Sequence, residues 1–295
     1  MDDVGVHDVR RFNRTVTQRI GALNDEYLAR SRPLGASRLL WEVGPDGSDI
    51  RLLRSRLQLD SGYLSRLLRS LEKDRLVKVV PDPSDKRVRT VRLTKSGRAE
   101  RELLDRLSDD LARSLLEPLT ADQRARLIEA VGTVERLLTA GLVVFTIEDP
   151  TTDDAQFCIR SYFAELDLRF ESGFDPERSI SADAAELTEP SGLFLIARLR
   201  GEPIGCGALK LHGRKPAEIK RMWIAASVRG LGLGRRILEE LERHARQRGV
   251  GTLHLETNQA LNEAVGLYKS AGYREVERFS DEPYAHHWFE KIISA

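Results

Sequence analysis

The sequence predicts a two-domain α+β chain, a mostly helical N-terminal part followed by a mixed α/β C-terminal part. Three observations carry this. At 295 residues the chain exceeds one ordinary small domain. Beneath a net charge of +1 the charges are uneven: residues 1–140 hold 27 Lys and Arg against 22 Asp and Glu, the remainder 20 against 24, and residues 51–100 alone 14 against six. Near residue 142 the hydrophobic period also changes, from long helical stripes to short strands alternating with helices.

The bulk numbers narrow the class. A hydrophobic content of 41% supports ordinary cores, and the 32% of charged residues are balanced in sign, so the chain reads as folded. There is no apolar run of membrane-spanning length, and "MDDVGVHDVRRF" lacks a signal-peptide core. Cys158 and Cys206 show neither metal-ligand spacing nor a disulfide framework. The expectation is a cytoplasmic protein with no membrane partner and no metal.

From Val4 to Ala29, apolar residues Val9, Phe12, Val16, Ile20, Leu23 and Tyr27 recur at helical spacing. Ser31 to Gly35 breaks that helix, and a short one follows to Gly44. "DIRLLRSRLQLDSGYLSRLLRSLEKDRLV" reads as two helices around a "QLD" turn. Asp49 caps the first, whose Leu52, Leu53 and Leu57 face inward. Asp60 or Ser61 caps the second, which buries Leu64, Leu67, Leu68 and Leu71. Val77 to Val80 and Val88 to Leu93 are strands around the tip "PDPSDKR"; helices beginning at Thr94 and Thr120 complete the half, the last ending before Gly141. Paired helices followed by a basic hairpin form a winged helix-turn-helix.

Such a fold puts its second helix in the major groove. The solvent face of that helix carries Ser61, Gly62, Ser65, Arg66 and Arg69. An arginine forks onto a guanine edge, and serines donate to phosphates or bases. Lys86 and Arg87 at the tip are placed for the backbone or the adjacent minor groove. "PDPSDKRVRTVRLTKSGR" resembles the wing of the MarR family of regulators through Asp85, Arg87, Leu93, Thr94 and Gly97. The resemblance covers residues 4–140. It implies a homodimer joined through its end helices, a palindromic operator in double-stranded DNA, Asp85 orienting the wing and Arg87 touching the minor groove.

The C-terminal half predicts strands at "GLVVFTIEDP", "LFLIARLRG", "PIGCGALKL", "AEIKRMWI", "GTLHLETN", "YREVERF" and "AHHWFEKII". Helices fall at "TDDAQFCIRSYFAELDLRF", Leu233 to Arg248 and "ALNEAVGLYKSAG"; residues 171–192 carry no clear period. The stretch "RGLGLGRRIL" stands between a strand and a helix. Alternate glycines Gly230, Gly232 and Gly234 turn successive N–H groups toward an anion at a helix start. It is no Walker loop, lacking "GK[ST]", and no dinucleotide fingerprint.

"RGLGLG" resembles the Arg/Gln-x-x-Gly-x-Gly/Ala signature of the GNAT acetyltransferases through Arg229, Gly232 and Gly234. "ETNQALNEAVGLYKSAGYREV" resembles that family's next segment through Asn262, Val265, Tyr268, Gly272 and Tyr273, and "AEIKRMWI" its splayed strand. Residues 142–295 are covered, so the domains read as 1–141 and 142–295. The resemblance implies acetyl-CoA, with its pyrophosphate on Arg229, Gly230, Leu231, Gly232, Leu233, Gly234 and Arg235. Main-chain N–H groups of Met222, Trp223 and Ile224 would hold the pantetheine arm and polarise the carbonyl, and Asn262 would bond the arm.

Acetyl transfer to an amine needs a base for the amine proton and an acid for the departing thiolate. Glu218 is the candidate base, with simple pairing to Lys220, Arg221 or Lys210 as its alternative. Tyr268 is the candidate acid. Trp223 reads as packing, Cys206 as a small buried hydrophobe, and Tyr284, His286 and His287 lie where this fold lines its acceptor pocket. The expected protein is a bifunctional regulator and N-acetyltransferase of a small amine or amino-acid-like molecule, by direct transfer in a ternary complex. Two rivals stand beside it: a regulator that only senses acetyl-CoA, and an acetyltransferase of protein lysines.

Overall fold

The computed structural model describes residues 3–81, 88–180, 182–213 and 216–293. Two compact units, Met1–Val131 and Gly132–Ala295, divide within one long helix. The first contains helices α1 (Asp3–Arg19), α2 (Leu34–Glu42), α3 (Ile50–Leu57), α4 (Ser61–Lys73) and α5 (Lys95–Leu116), and the start of α6 (Ala121–Gly141). Strands β1 (Ser48–Asp49), β2 (Val77–Pro81) and β3 (Arg89–Leu93) form an antiparallel sheet in the order β1-β3-β2.

Local chemistry sets the boundaries. The α1 stripe runs on to Ala29 in sequence, but Gly21 takes φ +67 and ends the helix. The Asp49 carboxylate accepts from the Arg51 N–H and so caps α3. Asp60, not Ser61, caps α4, accepting from the Tyr63 N–H at 2.8 Å. Thr94 caps α5 through the Gly97 N–H at 3.0 Å. Leu53, Leu64, Leu71 and Val91 form the core. Leu52, expected inside, is exposed, and Leu57 is only half-buried, because an eight-residue helix turns a single narrow face inward. Two-residue β1 has no period by which a sequence could betray it.

The second unit holds β4 (Val143–Glu148), α7 (Asp153–Arg169), β5 (Gly192–Leu199), β6 (Glu202–Lys210), β7 (Ala217–Ile224) and α8 (Leu233–Gln247). After these come β8 (Thr252–Thr257), α9 (Asn262–Ser270), β9 (Arg274–Glu275) and β10 (His287–Ile292). The seven-stranded sheet has the order β4-β5-β6-β7-β8-β10-β9. Alternate residues of β5 supply two cores: Leu193, Leu195 and Ala197 pack with Ile237, Leu238 and Leu241 of α8, while Phe194 and Ile196 pack with Ala155, Cys158 and Ile159 of α7. Burial on both faces explains the continuous apolar run "LFLIA". "YREVERF" pairs only at Arg274 and Glu275.

Two irregularities position the site. β7 and β8 pair in parallel only at Ala217↔Leu253 and Glu218↔His254, then part. Against β6 the β7 register slips between Cys206 and Ala208, two β7 residues facing one, with Arg221 at φ +55. That bulge turns the main chain of β7 where its parallel partner leaves it.

Candidate functional site

The opening between β7 and β8 is occupied by two cavities that meet. One, of about 530 Å³, is lined by Arg229, Gly230, Gly232, Leu233, Gly234, Arg235, Met222, Trp223 and Ile224, with Glu165 and Arg169 of α7 opposite. The other, of about 110 Å³, lies between the splayed strands and is lined by Lys220, Arg221, Glu256, Asn258, Glu282 and an aromatic group that includes Phe163, Phe170, Phe174 and Tyr284. Tyr162, Leu166, Met222, Leu261, Ala264 and Tyr268 belong to both walls and mark the junction.

The glycine loop is built as an anion cradle. Gly230 and Gly232 stand at φ +80 and +72, with nothing within 4 Å of the position of an added Cβ. The first bond of α8 runs from the Arg236 N–H to the Gly232 carbonyl at 3.2 Å, and among the described residues the amides of Gly230 to Arg235 have no main-chain acceptor. Six consecutive donors at a positive helix end fit a pyrophosphate, and the larger cavity beside them fits an extended arm. Leu231 packs against the core and does not line the cavity. Arg229 donates to the Ile224 carbonyl at 3.1 Å and pairs with Glu165, which also accepts from Trp223 Nε1 at 3.0 Å. Trp223 therefore both packs and anchors α7. Asn262 is exposed at the start of α9 and lines neither cavity.

Glu218 and Tyr268 are placed differently. Tyr268 is 5% exposed and sits at the junction of the cavities. Burial pushes its phenol well above the ordinary range, as it does for Tyr162. Glu218 lines neither cavity. Its Oε1 is 2.7 Å from His212 Nε2 and its Oε2 2.9 Å from Lys220 Nζ. Lys220 in turn reaches Glu256 Oε1 at 2.6 Å, and Glu256 Oε2 accepts from Ser280. Burial raises the Glu218 carboxyl, but Lys220, His212 and Lys210 outweigh it and hold the group below its ordinary range. The same two carboxylates overcome burial to raise the Lys220 ammonium. The carboxylates on the wall of the smaller cavity are thus Glu256 and Glu282, and not Glu218.

Tyr162, Glu165 and Glu282 carried no motif, and Glu256 and Asn258 were unmatched positions within "ETNQALNEAVGLYKSAGYREV". A signal existed only for α7, where Tyr162, Glu165, Leu166 and Arg169 fall three and four residues apart on one face. Tyr284 lines the smaller cavity; His287 lies away from it and meets Glu275 Oε1 at 2.6 Å. Cys206 is buried, its thiol donating to the Arg221 carbonyl at 3.2 Å.

In the first unit, Ser61, Ser65, Arg66 and Arg69 are exposed together on α4. The Arg66 guanidinium lies over the Tyr63 ring at 5.6 Å. Ser65 Oγ already donates to the Ser61 carbonyl at 2.8 Å, which leaves it an acceptor rather than the expected donor. Asp85, Lys86 and Arg87 lie outside the described residues. Among the described residues no helix is long and apolar enough to cross a membrane, and no cluster of metal-binding side chains occurs.

Residues 159–273 match the acetyltransferase (GNAT) family and residues 38–97 the winged helix DNA-binding domain. This chain belongs to the GNAT acetyltransferase family: it is an N-acetyltransferase whose fold implies an acyl-CoA donor, preceded by a winged helix DNA-binding domain. Among particular relatives, the IAA acetyltransferase of Azospirillum brasilense is 34% identical over 112 residues, covering 38% of this chain and 73% of that protein. The N-alpha-acetyltransferase RimI of Mycobacterium tuberculosis is 32% identical over 142 residues, covering 47% and 84%. The reduced form of MarR from E. coli, a solved structure, is 28% identical with a TM-score of 0.39 and covers 42% of this chain and 93% of that one.

Proposed function

We propose that the chain is an acetyl-CoA-dependent N-acetyltransferase of a small amine, working by direct transfer in a ternary complex. In the same reading its winged helix binds a palindromic operator in double-stranded DNA as a homodimer, and the domain boundary falls at the end of α6, residue 141. The observation that carries the enzyme half is the meeting of an anion-cradling cavity and a smaller polar cavity at Tyr268.

Acetyl-CoA, when bound, supplies an acetyl group activated as a thioester. The amides of Gly230 to Arg235 would hold its pyrophosphate, and the bulged main chain from Met222 to Ile224 would hold its arm and polarise its carbonyl. Glu256 takes the amine proton. Glu218 acts on Glu256 at one remove, through the Lys220 ammonium between them. Tyr268, a phenol that carries its proton at neutral pH, would give it to the departing thiolate. Asn262 is given no role.

For the other half, the exposed arginines of α4 support groove contact, with Asp85, Lys86 and Arg87 assigned to the wing. Exposed apolar residues support the homodimer: Val4 and Val9 on α1, and Ile128, Leu137 and Leu138 on α6, which buries no residue within the chain.

The test is calorimetric titration of the full chain with acetyl-CoA, followed by thiol release over a panel of amines. Binding with turnover on a small amine is expected. Binding without turnover on any amine would favour a sensor, and no binding at all would overturn the cradle.

A further inference from the structure

The wall of the smaller cavity differs from the rest of its unit in one respect: it contains a buried carboxylate without a cation. Other buried acids there have a countercharge. Glu242 is met by Lys291 Nζ at 2.7 Å and Arg246 Nη2 at 3.1 Å, and Glu256 by Lys220 Nζ at 2.6 Å. Glu282 is 8% exposed, and its donors are neutral: Ser179 Oγ at 2.9 Å, the Ile180 N–H at 2.7 Å and the Tyr284 N–H at 3.2 Å. Among the described residues no basic side chain pairs with it. These three bonds tie residues 179–180 to 282–284 and close the wall, and none of them comes from a cation. An ammonium brought to this carboxylate would add a charge-assisted bond to it.

The remaining wall indicates what accompanies that cation. Phe174 and Tyr284 have ring centroids 5.0 Å apart, Phe170 and Tyr284 5.7 Å, and Phe163 and Phe174 5.3 Å. Such a cluster takes an aromatic body and favours an adjacent ammonium. The wall's own cations are built in: Lys220 lies between Glu218 and Glu256, and the Arg221 guanidinium rests 5.2 Å over Phe163 and donates to the Ala182 carbonyl at 2.6 Å. With Lys220 held by Glu218 and Glu256, and Arg221 turned to the Ala182 carbonyl and the Phe163 ring, the charged group left for a ligand is Glu282, which favours an ammonium over a carboxylate.

We propose that the acceptor is a primary arylalkylamine without a carboxylate, docked as its ammonium against Glu282 with its ring on Phe170, Phe174 and Tyr284. The inference rests on the acetyltransferase reading above. The ammonium yields one proton to Glu256, and the freed nitrogen forms the C–N bond as the thioester C–S bond breaks. As the sulfur gains a proton from Tyr268, the nitrogen's second proton restores the phenol, and Glu256 releases the first to solvent. Amine and thioester become amide and thiol, with the ammonium proton released. Glu282 is a positioning residue in this scheme.

The experiment uses the full chain with acetyl-CoA and three acceptors: 2-phenylethylamine, L-phenylalanine and 1,5-diaminopentane. A kcat/KM for 2-phenylethylamine at least tenfold above both others is expected. Glu282→Gln should raise its KM at least tenfold with kcat within threefold. In calorimetry on the CoA-saturated protein, the variant should lose affinity for 2-phenylethylamine but not for neutral 2-phenylethanol. Preference for phenylalanine or the diamine, an unchanged KM, or equal loss for amine and alcohol would overturn the proposal. If acetyl-CoA binds and no amine is turned over, the enzyme reading fails while the amine–alcohol comparison still decides the role of Glu282. If Glu282→Gln does not fold, the ranking of acceptors by the unaltered chain decides.

Discussion

Tyr268 shows how one residue acquires a task from its surroundings. Its ring packs on Tyr273 and Phe289, at centroid distances of 6.0 and 5.9 Å, so the phenol cannot swing away from the cavity junction. A phenol carries its proton at neutral pH, and burial raises the Tyr268 pKa further. An acid aimed at a thiolate needs both conditions, position and protonation. Tyr268→Phe removes the proton and keeps the packing. The expected outcome is a kcat lower by about 100-fold, the lower end of the usual contribution of a positioned acid. The acetyl-CoA dissociation constant, read by calorimetry, should stay within about twofold, since hydrogen-bond loss to the bound arm is not involved. Tyr162 shares the junction, so an unchanged kcat would pass the role to that phenol.

At the scale of elements, two of the motif glycines do different physical work. Gly97, in the first turn of α5, lies against β2: a Cβ there would stand 1.9 Å from the Leu76 carbonyl oxygen. Thr94 fixes that approach, donating to the Arg75 carbonyl at 2.7 Å while capping α5. Gly232 has open space around it and is needed for its left-handed backbone and exposed N–H. Gly97→Ala must therefore push α5 from β2. A loss of about 2–4 kcal/mol in the stability of the N-terminal unit is expected, within the range of severe backbone clashes. Thermal unfolding and operator binding would report it, with acetyl-CoA affinity retained. An unaltered unfolding temperature would show that the contact yields without cost.

For the whole molecule, the two units have separate cores, one around Leu53 and Leu71 and one around Ile237 and Phe289. Each can lose a surface contact without disturbing the other's packing. Arg66→Ala removes an exposed guanidinium from α4, and a base-edge fork of this kind contributes about 1–3 kcal/mol. Operator affinity, measured by fluorescence anisotropy at one fixed salt concentration, should fall by about tenfold or more. The acetyl-CoA dissociation constant should not move. A parallel loss of cofactor binding would show that the two activities are not modular.

What the sequence determined by itself was local. Caps at Asp49, Asp60 and Thr94, the leucine stripe of α4, the two-faced apolar run of β5 and the glycine cradle before α8 all announce themselves within a few residues, because helix and strand periods and φ-permissive glycines are short-range properties. The family motifs sit on those same stretches. What only the tertiary structure decided was which side chains meet across the splay of β7 and β8. Glu282 meets Ile180 across 102 residues of chain, and Arg229 meets Glu165 across 64. Lys220 joins Glu256 across 36, and Glu256, not Glu218, lines the smaller cavity. No period or spacing encodes such meetings. They follow from strand order and from a one-residue bulge, and both are set by how the whole sheet packs.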